Sequence, residues 1–173
     1  MRDFLAITGP TTSGKTQFSI AVAEALNGEI ICMDSRQVYR GMDIGTDKVS
    51  TENRNRVRHH GLDLREPDEF YSAGQFGRNA RGWIEEISGR GHVPLLVGGT
   101  GLFLRSLTHP LFEQPDIDAT RLEALRGFMA KWPTTELERW VGALDSGRTD
   151  LAREGGSQRL GRTIEVALLT GRP

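Results

Sequence analysis

A chain of 173 residues with 37% hydrophobic and 26% charged residues is long enough to bury one core and too apolar to stay disordered. The net charge of −1 divides into −2 over residues 1–117 and +1 over 118–173, which excludes the strong basic excess of an autonomous nucleic-acid binder. No apolar run approaches the ~20 residues that span a bilayer, no signal-peptide core opens the chain, and the single Cys32 rules out an internal disulfide, so the expectation is a cytoplasmic chain with no membrane partner.

Phe4-Leu5-Ala6-Ile7 reads as a short buried strand ended by Gly9-Pro10. Lys15 to Leu26 reads as a helix with Phe18, Val22 and Leu26 on its inner face, stopped by Asn27-Gly28. Ile30 to Met33 is a second buried strand that delivers Asp34 to its carboxyl end. Gly41 to Lys48 is loop-like, and Ser50 to Arg58 is a polar helix or loop. Ser72 with Gln75 forms a capping box for a helix running towards Gly89. Pro94 to Val97 is a third strand, followed by Gly98-Gly99-Thr100-Gly101. Alternation of strands and helices predicts an α/β fold with a parallel sheet flanked by helices.

From Asp118 the pattern turns wholly helical, over 118–131, 135–145 and 158–170, with breaks at Pro133 and Gly155-Gly156. The expected organisation is a core over 1–112, a small helical insertion lobe over 113–156, and a helix in 157–173 that returns to the core. That last helix buries Leu160, Ile164 and Leu168 and ends at Gly171 and Pro173.

Gly9-Pro10-Thr11-Thr12-Ser13-Gly14-Lys15-Thr16 matches G-x-x-x-x-G-K-[ST] in full, between a predicted strand and a predicted helix. Glycine lets backbone N–H groups converge on phosphate oxygens, and the helix that follows directs its positive end at them. Lys15 adds a point charge, and the Thr16 hydroxyl suits a Mg²⁺ position. The chain therefore binds a diphosphate or triphosphate through a P-loop NTPase-like core. The third strand ends in glycines and offers no carboxylate of the usual hydrolase kind. Asp34 is the one acid at a strand end near the cradle, placed to hold metal or accept a proton.

Asp34-Ser35-Arg36-Gln37-Val38-Tyr39-Arg40 and Gly41-Met42-Asp43-Ile44-Gly45-Thr46-Asp47-Lys48 resemble the signature of the tRNA dimethylallyltransferase family. So do His59-His60 with Asp63, Tyr71-Ser72, Gly98 to Phe103, Gln158-Arg159-Leu160-Gly161-Arg162 with Glu165-Val166, and Thr170 to Pro173. The resemblance implies transfer of a dimethylallyl group from dimethylallyl diphosphate to the exocyclic amine of the adenine beside the tRNA anticodon. It implies Asp34 as general base, Thr100 as a contact to the adenine, and Lys15 on the departing diphosphate. It also implies tRNA contacts from Asp34, Ser35, Arg36, Gln37 and Thr100, and from Gln158, Arg159, Leu160, Gly161 and Arg162. Phe103 departs from the family's usual tyrosine, and family members continue beyond the Thr170 to Pro173 segment. The continuing part supplies a further sheet strand, an arginine near the diphosphate and a basic region for the anticodon stem. Without it a near-neutral chain is expected to be a monomer that binds tRNA weakly and has an open sheet edge.

Blander roles stand beside these. Asp34 can be a turn cap, Thr100 an N-cap, Arg36 and Arg40 partners of Asp43 and Asp47, and Arg159 and Arg162 partners of Glu154 or Glu165. His59 and His60 fit packing better than metal ligation, and Trp83, Trp132 and Trp140 fit packing better than base stacking. Three other activities use the same cradle: a nucleoside or nucleotide kinase, a prenyltransferase acting on free AMP, and an inactive diphosphate-binding remnant.

Overall fold

The computed structural model describes residues 2–109 and 118–171. The chain divides into two compact units, Met1–Leu111 and Phe112–Pro173. The boundary expected at 112/113, and the ends at Arg172 and Pro173, fall outside the described residues.

The first unit is a four-stranded parallel sheet in the order β1-β4-β2-β3, from β1 (Leu5–Thr8), β2 (Gly28–Cys32), β3 (His59–His60) and β4 (Val93–Gly98). Its helices are α1 (Lys15–Leu26), α2 (Thr51–Arg56), α3 (Ala73–Gly89) and α4 (Gly101–Thr108). β2 and β4 are the buried centre, with Ile30, Ile31, Leu95 and Leu96 at 1% exposure or less. Ile31 and Leu96 face a cluster with Phe76, Ile84 and Ile87 of α3, while Ile30 and Leu95 face Ile20 and Ala23 of α1. Each such side chain contributes roughly 1.5–3 kcal/mol by leaving water. The Ser72–Gln75 capping box forms in both directions at the start of α3, and Ser50 caps α2, which settles that polar stretch as a helix.

Two expectations are corrected here. β1 is largely exposed, Leu5 included, because among the described residues it is an edge strand paired only with β4. On α1 the stripe of Phe18 and Leu26 faces solvent, and Ser19, Ile20 and Ala23 face the sheet. Ile20 and Ala23 join Ile30 and Leu95 in one buried cluster, with Val22 packed at its margin.

The second unit is α5 (Ala119–Met129), α6 (Thr134–Leu144), a 3₁₀ turn (Ser146–Arg148), α7 (Thr149–Glu154) and α8 (Gly156–Thr170). Its core is Met129, Leu137, Val141, Ala152, Leu160 and Ile164. The helix expected to return to the sheet core thus buries Leu160 and Ile164 inside the helical unit, and Leu168 is half-exposed rather than buried. No helix among the described residues is long and apolar enough to cross a membrane.

Candidate active site

The residues after β1, β2 and β4 meet at the carboxyl edge of the sheet, where open parallel sheets hold their ligands. The loop Gly9–Gly14 leaves β1 and enters α1 with Gly14 at φ 78° and Thr12 at φ 64°, and Thr11 to Gly14 lie open to solvent. Among the described residues no side chain caps α1, so the N–H groups of its first turn remain available to an anion. Lys15 Nζ donates to the Pro10 carbonyl and, at 3.4 Å, to Ser13 Oγ, which curls the cation back over the loop. The Thr16 carbonyl accepts from Ser19 Oγ, and the Thr16 hydroxyl makes no hydrogen bond among the described residues.

Asp34 follows β2. Its Oδ1 accepts from Arg36 N at 2.8 Å and Gln37 N at 3.4 Å, so the turn-capping role is present. That role occupies one oxygen. Oδ2 has no partner among the described residues, and the carboxylate is only partly buried.

β4 lies between β1 and β2, whose carboxyl ends are therefore about 10 Å apart. The Gly98–Thr100 segment fills that gap. A Cβ on Gly98 would come 2.0 Å from the Met33 carbonyl oxygen, and one on Gly99 would come 3.2 Å from that of Gly9. Thr100 N donates to Met33 O at 3.3 Å, and Thr100 Oγ1 accepts from Ser35 N at 3.1 Å. The Thr100 side chain does not cap α4, and its hydroxyl proton is left to donate to a ligand. One segment thus touches the phosphate loop on one side and the Asp34 turn on the other.

Sequence reasoning passed over what fixes the next loop. Lys48, with its side chain fully buried, donates to Tyr39 O at 2.6 Å and pairs with Asp43 and Asp63 at 2.7 Å each, while Arg54 holds the other Asp63 oxygen at 2.8 Å. Burial pulls the Lys48 pKa down, but the two carboxylates outweigh it and raise it. Burial pushes the Asp63 pKa up, and Lys48 and Arg54 more than reverse that. The available signal was compositional: Lys48 is one of only three lysines among 22 basic residues. Asp43 is held by Lys48 and Arg40 pairs with Glu66, so neither the Arg36 nor the Arg40 pairing with Asp43 and Asp47 forms. Arg36 is exposed without an ion pair among the described residues, and the Gln37 side-chain amide is spent on Thr46 O and Asp47 O.

The second proposed contact segment is altered more. Leu160 is fully buried in the helical core and cannot touch a ligand, which removes it from the expected RNA contacts. Arg162 joins Arg126 on the buried Glu165, whose pKa burial raises and the two arginines bring below its ordinary value. Arg159 donates to Leu151 O while remaining exposed, as does Gln158; Gly161 is half-buried. His60 bonds to the buried Glu29 at 2.7 Å, and no group of three metal-ligating side chains occurs among the described residues. Trp83 packs on the sheet core and Trp140 on the helical core. Trp132 instead stands 43% exposed beside Phe128 and Trp140. Phe103 stacks on Phe76 at 4.4 Å and is 3% exposed, a site where a hydroxyl would need its own partner.

The IPP transferase profile matches residues 37–173, and that of isopentenyl transferases matches 2–68. The chain belongs to the IPP transferase family. It is 44% identical to a tRNA dimethylallyltransferase of Halorhodospira halophila and 42% to one of Desulfotalea psychrophila, each over 98% of this chain and 54% of the relative. A tRNA isopentenylpyrophosphate transferase from Bacillus halodurans superposes over the whole chain with a TM-score of 0.64 at 37% identity, across 57% of its own length. A eukaryotic dimethylallyltransferase acting on tRNA covers 99% of this chain with a TM-score of 0.83 at 27% identity, across 43% of its own length. The chain therefore spans about half the length of the family members it matches, and it carries their P-loop NTPase-like α/β fold.

Proposed function

We propose that this chain transfers a dimethylallyl group from dimethylallyl diphosphate to the exocyclic amine of an adenine in the tRNA anticodon loop. The observation that carries the reading is the Gly98–Thr100 segment in contact with both the Gly9 carbonyl and the Asp34 turn. It sets an anion cradle and one accessible carboxylate about two strand spacings apart, a distance that an allyl group lying over the segment would span.

In this reading the amine nitrogen attacks the allylic carbon, the carbon–oxygen bond breaks, and diphosphate departs with the bonding pair. The amine proton passes to Asp34 Oδ2, the oxygen that the turn leaves free. Lys15 and the loop N–H groups stabilise charge gathering on the leaving group, and Thr100 donates its hydroxyl proton to the adenine. A Mg²⁺ ion fits the donor set, because the Thr16 hydroxyl is unengaged among the described residues and this metal is commonly held by few protein oxygens together with substrate phosphates. Bound there, it would neutralise the diphosphate. The adenine must leave its stack to reach the site, which costs least in an already unpaired loop.

Asp34→Asn is the decisive variant, since the amide oxygen still accepts from Arg36 N while the base is gone. Prenylated adenosine should fall at least ~100-fold. The thermal shift given by inorganic pyrophosphate should stay, and Lys15→Met should abolish it. Equal transfer by Asp34→Asn removes Asp34 as the base. ADP release from ATP that requires a small hydroxyl acceptor would instead establish a kinase.

A further inference from the structure

Gly41 to Thr46 turns its apolar residues to water: Ile44 is 99% exposed and Met42 40%. The loop is nonetheless held firmly. Within it, Asp47 N donates to Ile44 O, Lys48 N to Asp43 O, and Thr46 Oγ1 to Met42 O. Beneath it, Gln37 Nε2 donates to Thr46 O and Asp47 O, and the buried Lys48 ties Asp43 to Asp63 and to the Tyr39 carbonyl. Arg36 and residues 41–46 line an open cavity of about 600 Å³.

An isoleucine left wholly in water adds nothing to the core, while fixing the loop that displays it costs chain entropy. A loop braced in this way with its apolar tip in water is suited to a partner. The same Gln37 that grips the loop is gripped by Asp34 Oδ1 through its own N–H, so the loop is tied to the proton-accepting carboxylate. Extruding an adenine leaves neighbouring bases unstacked with their faces bare, and apolar wedges such as Ile and Met are suited to those faces. Arg36, without an ion pair among the described residues and on the cavity wall, suits a backbone phosphate.

We propose that loop 41–46 is a second RNA-facing element, in which Ile44 and Met42 take unstacked bases beside the target adenine and Lys48 is the positioning residue. This rests on the tRNA acceptor proposed above. The test is filter binding of an unmodified tRNA transcript to the 173-residue chain over a series of salt concentrations. Ile44→Ser should weaken binding about tenfold without changing the salt slope, since no phosphate contact is lost, and Ile44→Leu should bind as the parent does. Arg36→Ala should reduce the slope by about 0.7. Lys48→Met should match Ile44→Ser, and the double variant should be no worse than either, because Lys48 acts through the loop. The pyrophosphate thermal shift should be unchanged in Ile44→Ser. Binding of Ile44→Ser within twofold of the parent overturns the proposal, as does a change confined to self-association in sedimentation, which would make the tip a contact between copies. Absence of tRNA binding by the unaltered chain overturns the acceptor reading and this proposal together, whereas tRNA binding indifferent to Ile44→Ser overturns this one alone.

Discussion

Replacing Gly98 by alanine tests the bridge between cradle and carboxylate. The new Cβ would lie 2.0 Å from the Met33 carbonyl oxygen, 2.5 Å from its carbon and 3.0 Å from its Cα, all backbone atoms that no rotamer change can clear. β2 and β4 must separate by roughly 1 Å to restore ordinary contact. That movement strains the bonds Met33 N to Val97 O at 2.7 Å, Thr100 N to Met33 O at 3.3 Å and Ser35 N to Thr100 Oγ1 at 3.1 Å. Overpacking of 1–3 kcal/mol with weakening of such bonds gives an expected loss of about 2–4 kcal/mol. In urea unfolding followed by far-ultraviolet circular dichroism, the midpoint should drop by about 1–2 M. Gly99→Ala, with one contact at 3.2 Å, should cost under ~1 kcal/mol. Gly101→Ala, with nothing within 4 Å at the start of α4, should be neutral or stabilising by about 0.5 kcal/mol. Equal effects at the three positions, or a Gly98→Ala loss under ~0.5 kcal/mol, would refute the close approach of the two strands.

Burial raises the Glu29, Asp63 and Glu165 carboxyls, yet their Arg, His or Lys partners bring each below its ordinary value. Their stabilisation is present above the unfolded-state pKa and is lost as pH falls through the lower folded values, so the urea midpoint should hold from neutrality to about pH 5 and decline below about pH 4.5. A midpoint that stays flat down to about pH 3 contradicts these ion pairs. Burial pushes the Cys32 thiol up to about 12, so an aromatic disulfide reagent should titrate no thiol in the native chain and one in urea. Fast native labelling would place Cys32 outside the β2 core.

Gly9 to Thr16 was legible in sequence because a phosphate loop is local: two glycines, a lysine and a hydroxyl residue at fixed spacing set the backbone geometry by themselves. The Ser72–Gln75 capping box, the three longer strands alternating with helices, and Asp34 at a strand end are likewise short-range features, whereas the two-residue β3 and the short α7 left no such signal. Periodicity found an apolar stripe on α1 of which only Val22 packs at the core, because Ile20 and Ala23 are the residues that the folded sheet buries while Phe18 and Leu26 stay exposed. Residues far apart in the chain decided the rest. Lys48 reaches Asp63 across fifteen positions, Ser35 reaches Thr100 across sixty-five, and Leu160 is withdrawn from solvent in the cluster that also holds Val141. Such pairings leave no mark on the local spacing of residue types, because burial and ion pairing depend on which surfaces the folded backbone brings together.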